Sequence, residues 1–322
     1  MKSKLRILIT GVSGFVGSYV VDYALNLPDV EIFGQKRWRS PLDNIIENSQ
    51  KINLVDCDLI DTTSTLDMIK EIRPDRIFHL AAQSYVPYSF TAPKITIDTN
   101  VVGTLNLLEA VRRADVDPLI QICSSSEVYG QVEENEVPIK ETNMLRPQSP
   151  YAVSKVAEDM LAYQYFISYG IKTVRTRAFT HSGARRGSVF VDSWFAKQIA
   201  QIEKQIIKPI IHVGNLDSIR TFMDVRDTVR AYWLALEKGK PGDVYNIGGK
   251  ETMTIKEMLD MLLEMSTVKN IKTFVDPELI RPSDVTRQIP STEKFKELTG
   301  WESEIPYKTT LQETLDYWRK LV

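Results

Sequence analysis

Cysteine and histidine are the scarcest chemistry-bearing residues in this chain of 322, which holds two of the first, Cys57 and Cys123, and three of the second. Two thiols so far apart make no disulfide framework, and no Cys/His spacing fits a structural zinc site. The expectation is a pair of reduced thiols in a cytoplasmic compartment. No window approaches the roughly 18 uninterrupted apolar residues of a membrane span. The early apolar run Leu5-Arg6-Ile7-Leu8-Ile9-Thr10 is too short for the core of a secretory leader, and glycines follow it at once. Neither sign of charge dominates: 40 Lys and Arg against 42 Asp and Glu leave a net charge of -2. With 25% charged and 43% hydrophobic residues, the composition excludes a disordered chain and a strongly basic nucleic-acid binder. Internal repeats and low-complexity stretches are also lacking, which argues against a solenoid or scaffold array.

What the chain does have is an alternation of short apolar runs with helical periods. Strands are expected at 5–10, 30–33, 52–56, 76–80, 119–124 and 172–177, and helices at 16–27, 64–71, 100–113 and 151–169. Alternation of this kind builds a parallel sheet covered on both faces. Beyond residue 178 the rhythm breaks, with helices expected at 190–205, 227–237, 254–265, 291–298 and 310–321 and a strand at 243–247. The length suits about two domains, or one large domain carrying a smaller one. The expected architecture is α/β, a Rossmann-type doubly wound parallel sheet with a smaller, partly interleaved α/β substrate-binding domain. Residues 1–178, completed by 224–247, would bind the cofactor, and 179–223 with 248–322 mainly the substrate.

The first strand runs into Gly11-Val12-Ser13-Gly14-Phe15-Val16-Gly17. Gly11 permits a tight turn, Gly14 lets backbone approach a pyrophosphate, and Gly17 lets the helix pack closely on the sheet, its N–H groups facing phosphate. An NAD site usually places an acidic residue at the end of the second strand. Here Lys36, Arg37 and Arg39 stand there instead and offer charge to a 2′-phosphate, so NADP is expected. The bland reading of these cations is a solvated loop or a subunit contact. Asp58 and Leu59 after the third strand are placed to face the adenine. Ala81, Ala82 and Gln83 after the fourth are placed along the pyrophosphate or nicotinamide ribose.

The sharpest constellation is Ser124-Ser125-Ser126-Glu127 followed by Tyr151-Ala152-Val153-Ser154-Lys155. Residues four apart share a helix face, so Tyr151 and Lys155 converge. A phenol with an ordinary pKa near 10 needs such an ammonium to act as a base near neutrality. Ser125 is placed to hydrogen-bond a sugar hydroxyl or carbonyl. Glu127 adds a carboxylate able to move a carbon-bound proton once a neighbouring carbonyl has acidified it. That points to elimination beyond hydride transfer.

The glycine loop, His79-Leu80-Ala81-Ala82-Gln83, Asn100-Val101-Val102-Gly103-Thr104, Ser124 to Gly130 and Ser149 to Lys155 together resemble an extended short-chain dehydrogenase/reductase. More narrowly, Arg185-Arg186-Gly187, Val213 to Arg220 and Arg281-Pro282-Ser283-Asp284 resemble the GDP-mannose 4,6-dehydratase group and its relatives acting on GDP-heptose. The resemblance covers essentially the whole chain. It implies a GDP-sugar substrate, NADP regenerated within the cycle, Tyr151 and Lys155 acting at O4, Glu127 at C5, and Ser125 and Ser126 holding O4 or neighbouring hydroxyls. It also implies Arg186, Arg220 and Arg281 as nucleotide-sugar ligands, Arg220 and Arg281 on the diphosphate. Asp284 would take ribose hydroxyls, with Lys197 and Asn215 facing the same groove.

Two departures stand out. Ser125 replaces the threonine common in related dehydratases, and Thr180, in Phe179-Thr180-His181, replaces the common asparagine. The second leaves room for a heptose substrate. A GDP-4-keto-6-deoxymannose reductase is the alternative enzyme, and a cofactor-gated binding protein the alternative of another class. A homodimer through helices 100–113 and 151–169, or a homotetramer through the Arg37 region, is implied as well.

Overall fold

The computed structural model describes residues 4–280 and 283–322, so Arg281 lies outside the described residues. The chain opens with β1 (Leu5–Thr10), α1 (Phe15–Ala24), β2 (Val30–Lys36), β3 (Asn53–Asp56), α2 (Thr62–Ile72) and β4 (Arg76–His79). It continues through α3 (Val86–Thr91), α4 (Pro93–Ile97), α5 (Gly103–Arg113), β5 (Leu119–Ser125), α6 (Pro150–Tyr169) and β6 (Thr173–Ala178). These strands and a later one, β10 (Val244–Ile247), form a seven-stranded parallel sheet in the order β10-β6-β5-β4-β1-β2-β3. The order reverses between β1 and β4, which opens a crevice at the carboxyl ends of the strands, where ligands bind in such sheets.

Alternate side chains of β1 explain why both faces are covered. Ile7 and Ile9 point into one apolar layer with Val20 and Val21 of α1 and Trp233. Leu8 points into the other, with Ile69 of α2 and Leu107 and Leu108 of α5. Each such fully buried aliphatic side chain contributes about 1.5–3 kcal/mol. Helix α6 starts where Ser149 Oγ accepts from Ala152 N at 3.0 Å, with Pro150 in the first turn. It ends at Gly170, in the left-handed region at φ 71°.

The second half contributes β7 (His181–Ser182), α7 (Val191–Glu203), β8 (Ile210–Val213), β9 (Ile219–Asp224), α8 (Val225–Lys238), β10 (Val244–Ile247), β11 (Glu251–Thr254), α9 (Ile255–Met265), β12 (Lys272–Val275), β13 (Arg287–Gln288), α10 (Glu293–Thr299) and α11 (Tyr307–Leu321). A smaller sheet gathers β11, β9, β13 and β7, and β8 pairs with β12. Helices α7, α9 and α11 pack around Phe222 of β9 through Phe195, Leu259, Tyr307 and Leu311.

Two differences from the sequence pattern bear on the site. Strand β2 runs to Lys36 rather than stopping at residue 33, because β3 pairs with it as far as Lys36↔Asp56. The stretch after β4 is helical over 86–91 and 93–97, two short pieces each carrying a proline in its first turn, too brief to show a period. Among the described residues no helix is long and apolar enough to cross a membrane.

Candidate active site

A single cleft of about 1110 Å³ runs along the carboxyl ends of the sheet and on to the smaller sheet. Its floor is the glycine turn. Gly11 has φ 67°, and a Cβ there would stand 2.9 Å from Ala81 Cα; a Cβ on Gly17 would stand 2.5 Å from the Gly11 carbonyl oxygen. Both positions therefore require glycine. Gly14 caps α1 without any side-chain hydrogen bond, so the first N–H groups of the helix face the cleft. Ser13, Phe15 and Val16 line the same end, as do Arg37, Asp58, Leu59, Ala81, Ala82 and Gln83. The cradle fits a dinucleotide: small residues where backbone must approach, an uncapped helix start, and a buried Ser124 Oγ without a protein partner.

The three cations at the β2 end separate in space. Lys36 is ion-paired with Asp56 and Arg39 stacks on Trp38 at 4.2 Å. Arg37 is exposed on the cleft wall. Gln35, at the end of the same strand, accepts from Gly11 N at 2.9 Å and donates from Nε2 to the Cys57 carbonyl, tying the glycine turn to β3.

Tyr151, Lys155 and Ser125 meet in the middle of the cleft. Lys155 donates to the Cys123 carbonyl at 2.9 Å and to Glu158 Oε2 at 3.0 Å. Burial opposes its charge, but the Glu158 carboxylate, with Tyr151 and Cys123 adding to it, holds the ammonium above its usual range. Burial pushes the Tyr151 phenol up to about 12, although Lys155 and a hydrogen bond with Ser125 pull it down. The spacing of Tyr151 and Lys155 predicts a phenol eased toward ionisation; Lys155 does pull it that way, while enclosure outweighs the pull and Glu158 compensates part of the lysine's charge. Burial likewise pushes Glu158 up to about 7 against the pull of Lys155, and its Oε1 has no partner.

Glu127 follows β5 on a short 3-10 turn, half-buried at the cleft wall. Its backbone N–H donates to Ser125 Oγ at 3.2 Å. Gln288, absent from the sequence reading, reaches over from β13: its Nε2 donates to Glu127 Oε1 at 3.0 Å and its Oε1 accepts from Ser126 Oγ at 3.1 Å. Nothing local in the sequence marks Gln288, which sits 161 positions from Glu127 on a two-residue strand.

The far arm of the cleft, where the substrate residues are expected, is built from paired side chains. Arg220 donates to the Val285 carbonyl and lies 3.7 Å from Asp284, which also accepts from Asn215 at 2.9 Å and Ser218 at 3.0 Å. Arg186 donates to the His181 carbonyl, to Ser182 Oγ at 2.9 Å and to Asp192 at 3.3 Å, while its guanidinium packs on Phe190 at 4.6 Å. Thr180, Arg186, Asn215, Arg220 and Asp284 all line the cleft. Lys197 does not. It projects from the α7 face that meets α11, where its ammonium lies 5.1 Å from the Trp318 ring, and so the expectation that it faces the groove is corrected.

The histidines divide by surroundings. His79 is enclosed between Thr10 Oγ1 at 2.9 Å and Thr104 Oγ1 at 2.8 Å, and burial, aided by the Lys155 charge, pushes it down to about 3. His181 lines the cleft, stacked on Phe15 with ring centroids 6.2 Å apart. His212 is exposed and paired with Asp276 at 3.1 Å. Among the described residues no group of three or more His, Cys, Asp or Glu gathers to hold a metal ion.

This fold, with a glycine cradle and a Ser-Tyr-Lys group at one cleft, is that of an extended short-chain dehydrogenase/reductase. The family model described as GDP-mannose 4,6 dehydratase matches residues 8–314, and the chain belongs to that family. A GDP-6-deoxy-D-mannose reductase of Pseudomonas aeruginosa is 33% identical over 98% of both chains. A GDP-mannose 4,6-dehydratase of Yersinia enterocolitica is 32% identical over 93% of this chain and 90% of its own. The solved structure of RMD from Pseudomonas aeruginosa complexed with NADPH superposes with a TM-score of 0.86 at 32% identity, covering 99% of this chain and 100% of that one.

Proposed function

We propose that the protein is a GDP-sugar 4,6-dehydratase, acting on GDP-mannose to give GDP-4-keto-6-deoxymannose and water, with a GDP-manno-heptose as the alternative substrate. The observation that carries this reading is the placement of Glu127 on the wall of the cleft that holds Tyr151 and Lys155. A bound nicotinamide supplies the hydride acceptor at C4 and the donor at C6. Tyr151 takes the O4 proton, with Lys155 as the charge that favours its phenolate and Ser125 as its hydrogen-bond partner. Once C4 is a ketone, the C5 proton is acidic; Glu127 removes it and then gives it to the departing C6 hydroxyl, which leaves as water. As hydride reaches C6, a solvent-derived proton returns to C5; Tyr151 releases to solvent the proton it took from O4, and Glu127 ends ionised as it began. Ser126 and Thr180 hold sugar hydroxyls, and Arg220, Asp284, Asn215 and Arg186 take the nucleotide diphosphate end. Arg281 is assigned the same role by resemblance alone.

NADP is the proposed cofactor, because Arg37 stands on the adenosine wall and the superposed RMD holds NADPH. Residues 1–178 with 224–247 are assigned to the cofactor and 179–223 with 248–322 mainly to the sugar nucleotide. A homodimer or homotetramer fits the exposed apolar side chains of α6, Val153, Met160, Tyr163 and Ile167, and a cytoplasmic location fits the two unpaired cysteines.

Incubation with catalytic NADP+ or NAD+ and no reductant, against GDP-mannose and GDP-manno-heptose in parallel, tests the proposal by product mass. Loss of one water, faster with NADP+, is expected. The reductase reading has one observation in its favour, the end-to-end match to the Pseudomonas aeruginosa reductase. It requires no mass change without reductant and NADPH-dependent gain of two hydrogens on a supplied 4-keto sugar.

A further inference from the structure

Glu127 has two carboxylate oxygens, and the fold treats them differently. Oε1 accepts from Gln288 Nε2 at 3.0 Å, whereas Oε2 makes no hydrogen bond to any described residue. Gln288 is 2% exposed, so its amide has no bulk water to fall back on. An amide can face either way unless something distinguishes its ends. Here the Glu127 carboxylate, which only accepts, fixes the Nε2 end, and Ser126 Oγ, donating to Gln288 Oε1 at 3.1 Å, satisfies the oxygen end and holds the amide in place. The same strand pair serves the substrate arm, since Gln288 lies opposite Arg220 in the β9–β13 ladder.

We propose that Gln288 is a positioning residue for the proton-transfer step: held in place by Ser126, it anchors Oε1 of Glu127 so that Oε2 alone collects the C5 proton and delivers it to the leaving hydroxyl. The proton balance is closed. A carboxylate with one oxygen committed to an N–H donor takes the proton on the other, and losing it to the C6 oxygen restores the starting anion. The tether also holds that oxygen at one place in the cleft, so the order of removal and delivery is set by the sugar's position rather than by rotation of the carboxylate. This inference rests on the dehydratase reading for its biological step, but it can be tested apart from it.

The experiment is exchange of the C5 hydrogen for deuterium on a supplied GDP-4-keto-6-deoxymannose, with NADP+ bound, a reaction that needs Glu127 but no net hydride transfer. Gln288→Met keeps the length and apolar bulk of the side chain and removes both hydrogen bonds; exchange should slow about 10-fold or more, with KM for the keto sugar within about twofold. Ser126→Ala, which removes the donor to the amide oxygen and loosens the tether, should slow exchange by about threefold. Thermal unfolding and NADP+ binding of each variant show whether it is folded. Exchange by Gln288→Met at the wild-type rate, or a rise in KM equal to the fall in rate, overturns the positioning role. Should Gln288→Met not fold, Gln288→Glu replaces the donor by a like charge, and unimpaired exchange in that variant overturns the role too. A wild-type protein that exchanges C5 but releases no water from GDP-mannose overturns the dehydratase reading and leaves the positioning role standing; one that exchanges nothing overturns both.

Discussion

The two ends of the cleft are built on opposite plans. At the cofactor end the wall is backbone: the glycine turn leaves the first N–H groups of α1 without a side-chain cap, Ala81 and Ala82 keep the neighbouring loop low, and what matters is the absence of atoms. At the substrate end the wall is side chain: Arg186 engages Asp192, and Arg220 and Asn215 converge on Asp284. Backbone donors are already aligned and need no partner exchange when an anion arrives. Guanidinium groups that already have carboxylate and carbonyl partners must share or trade them when a phosphate enters. The first plan gives a rigid seat for a nicotinamide cofactor; the second suits a substrate that must come and go.

The largest effect should come where the two plans meet. Tyr151→Phe is expected to cut turnover by about 10²–10⁴-fold, the range for loss of an acid–base group, while leaving NADP+ binding measured by fluorescence near wild type. Undiminished turnover would remove Tyr151 from the chemistry. Next, Arg220→Met should raise KM for the GDP-sugar by about 10–100-fold, the worth of a charged hydrogen bond, with cofactor affinity unchanged. If cofactor affinity fell in parallel, the two ends would not be separable in this way. Conversely, Gly17→Ala places a methyl group 2.5 Å from the Gly11 carbonyl oxygen. It should weaken cofactor binding and lower stability by about 1–3 kcal/mol, seen as a lower Tm without bound cofactor, with no specific effect on the sugar end. A normal Tm and normal cofactor affinity would contradict the close-packed cradle.

The smallest effect is a slope. Burial holds His79 neutral, pushed down to about 3. The unfolded chain binds a proton at the ordinary histidine pKa, so His79 contributes stability that is present above about pH 6.5 and is lost as the pH falls toward the folded value. Each pH unit in that window should cost about 1.4 kcal/mol, and His79→Gln should flatten that part of the Tm–pH curve. An unchanged slope would mean that His79 is charged in the folded chain.

The contrast between the two ends also explains which parts were legible in the letters. The cofactor end is contiguous: a strand, a turn and a helix start lie within Leu5 to Ala24, and the three glycines mark where atoms are excluded. Tyr151 and Lys155 are one helical turn apart, so their convergence follows from helix geometry. The substrate end is assembled from β7, β9, β11 and β13, strands of two to six residues, and a period cannot show in so few. Gln288 was invisible for that reason, although Arg220 and Asp284 came through by family resemblance. Glu158 was one turn beyond Lys155 and was missed because its importance lies in enclosure, which spacing does not report. Lys197 failed on rotation. Phe195, Ala196, Ile199 and Ala200 bury neighbouring faces of α7 and leave Lys197 against Trp318.

The most direct test of the account is to run the reaction on GDP-mannose in deuterium oxide with catalytic NADP+ and to read the product by mass and by NMR at C5 and C6. The account predicts loss of one water, deuterium at C5, retention at C6 of the hydrogen that began at C4, and loss of the deuterium and of water release together in Glu127→Gln. A product that has lost water but carries the original hydrogen at C5, or undiminished dehydration by Glu127→Gln, would contradict it.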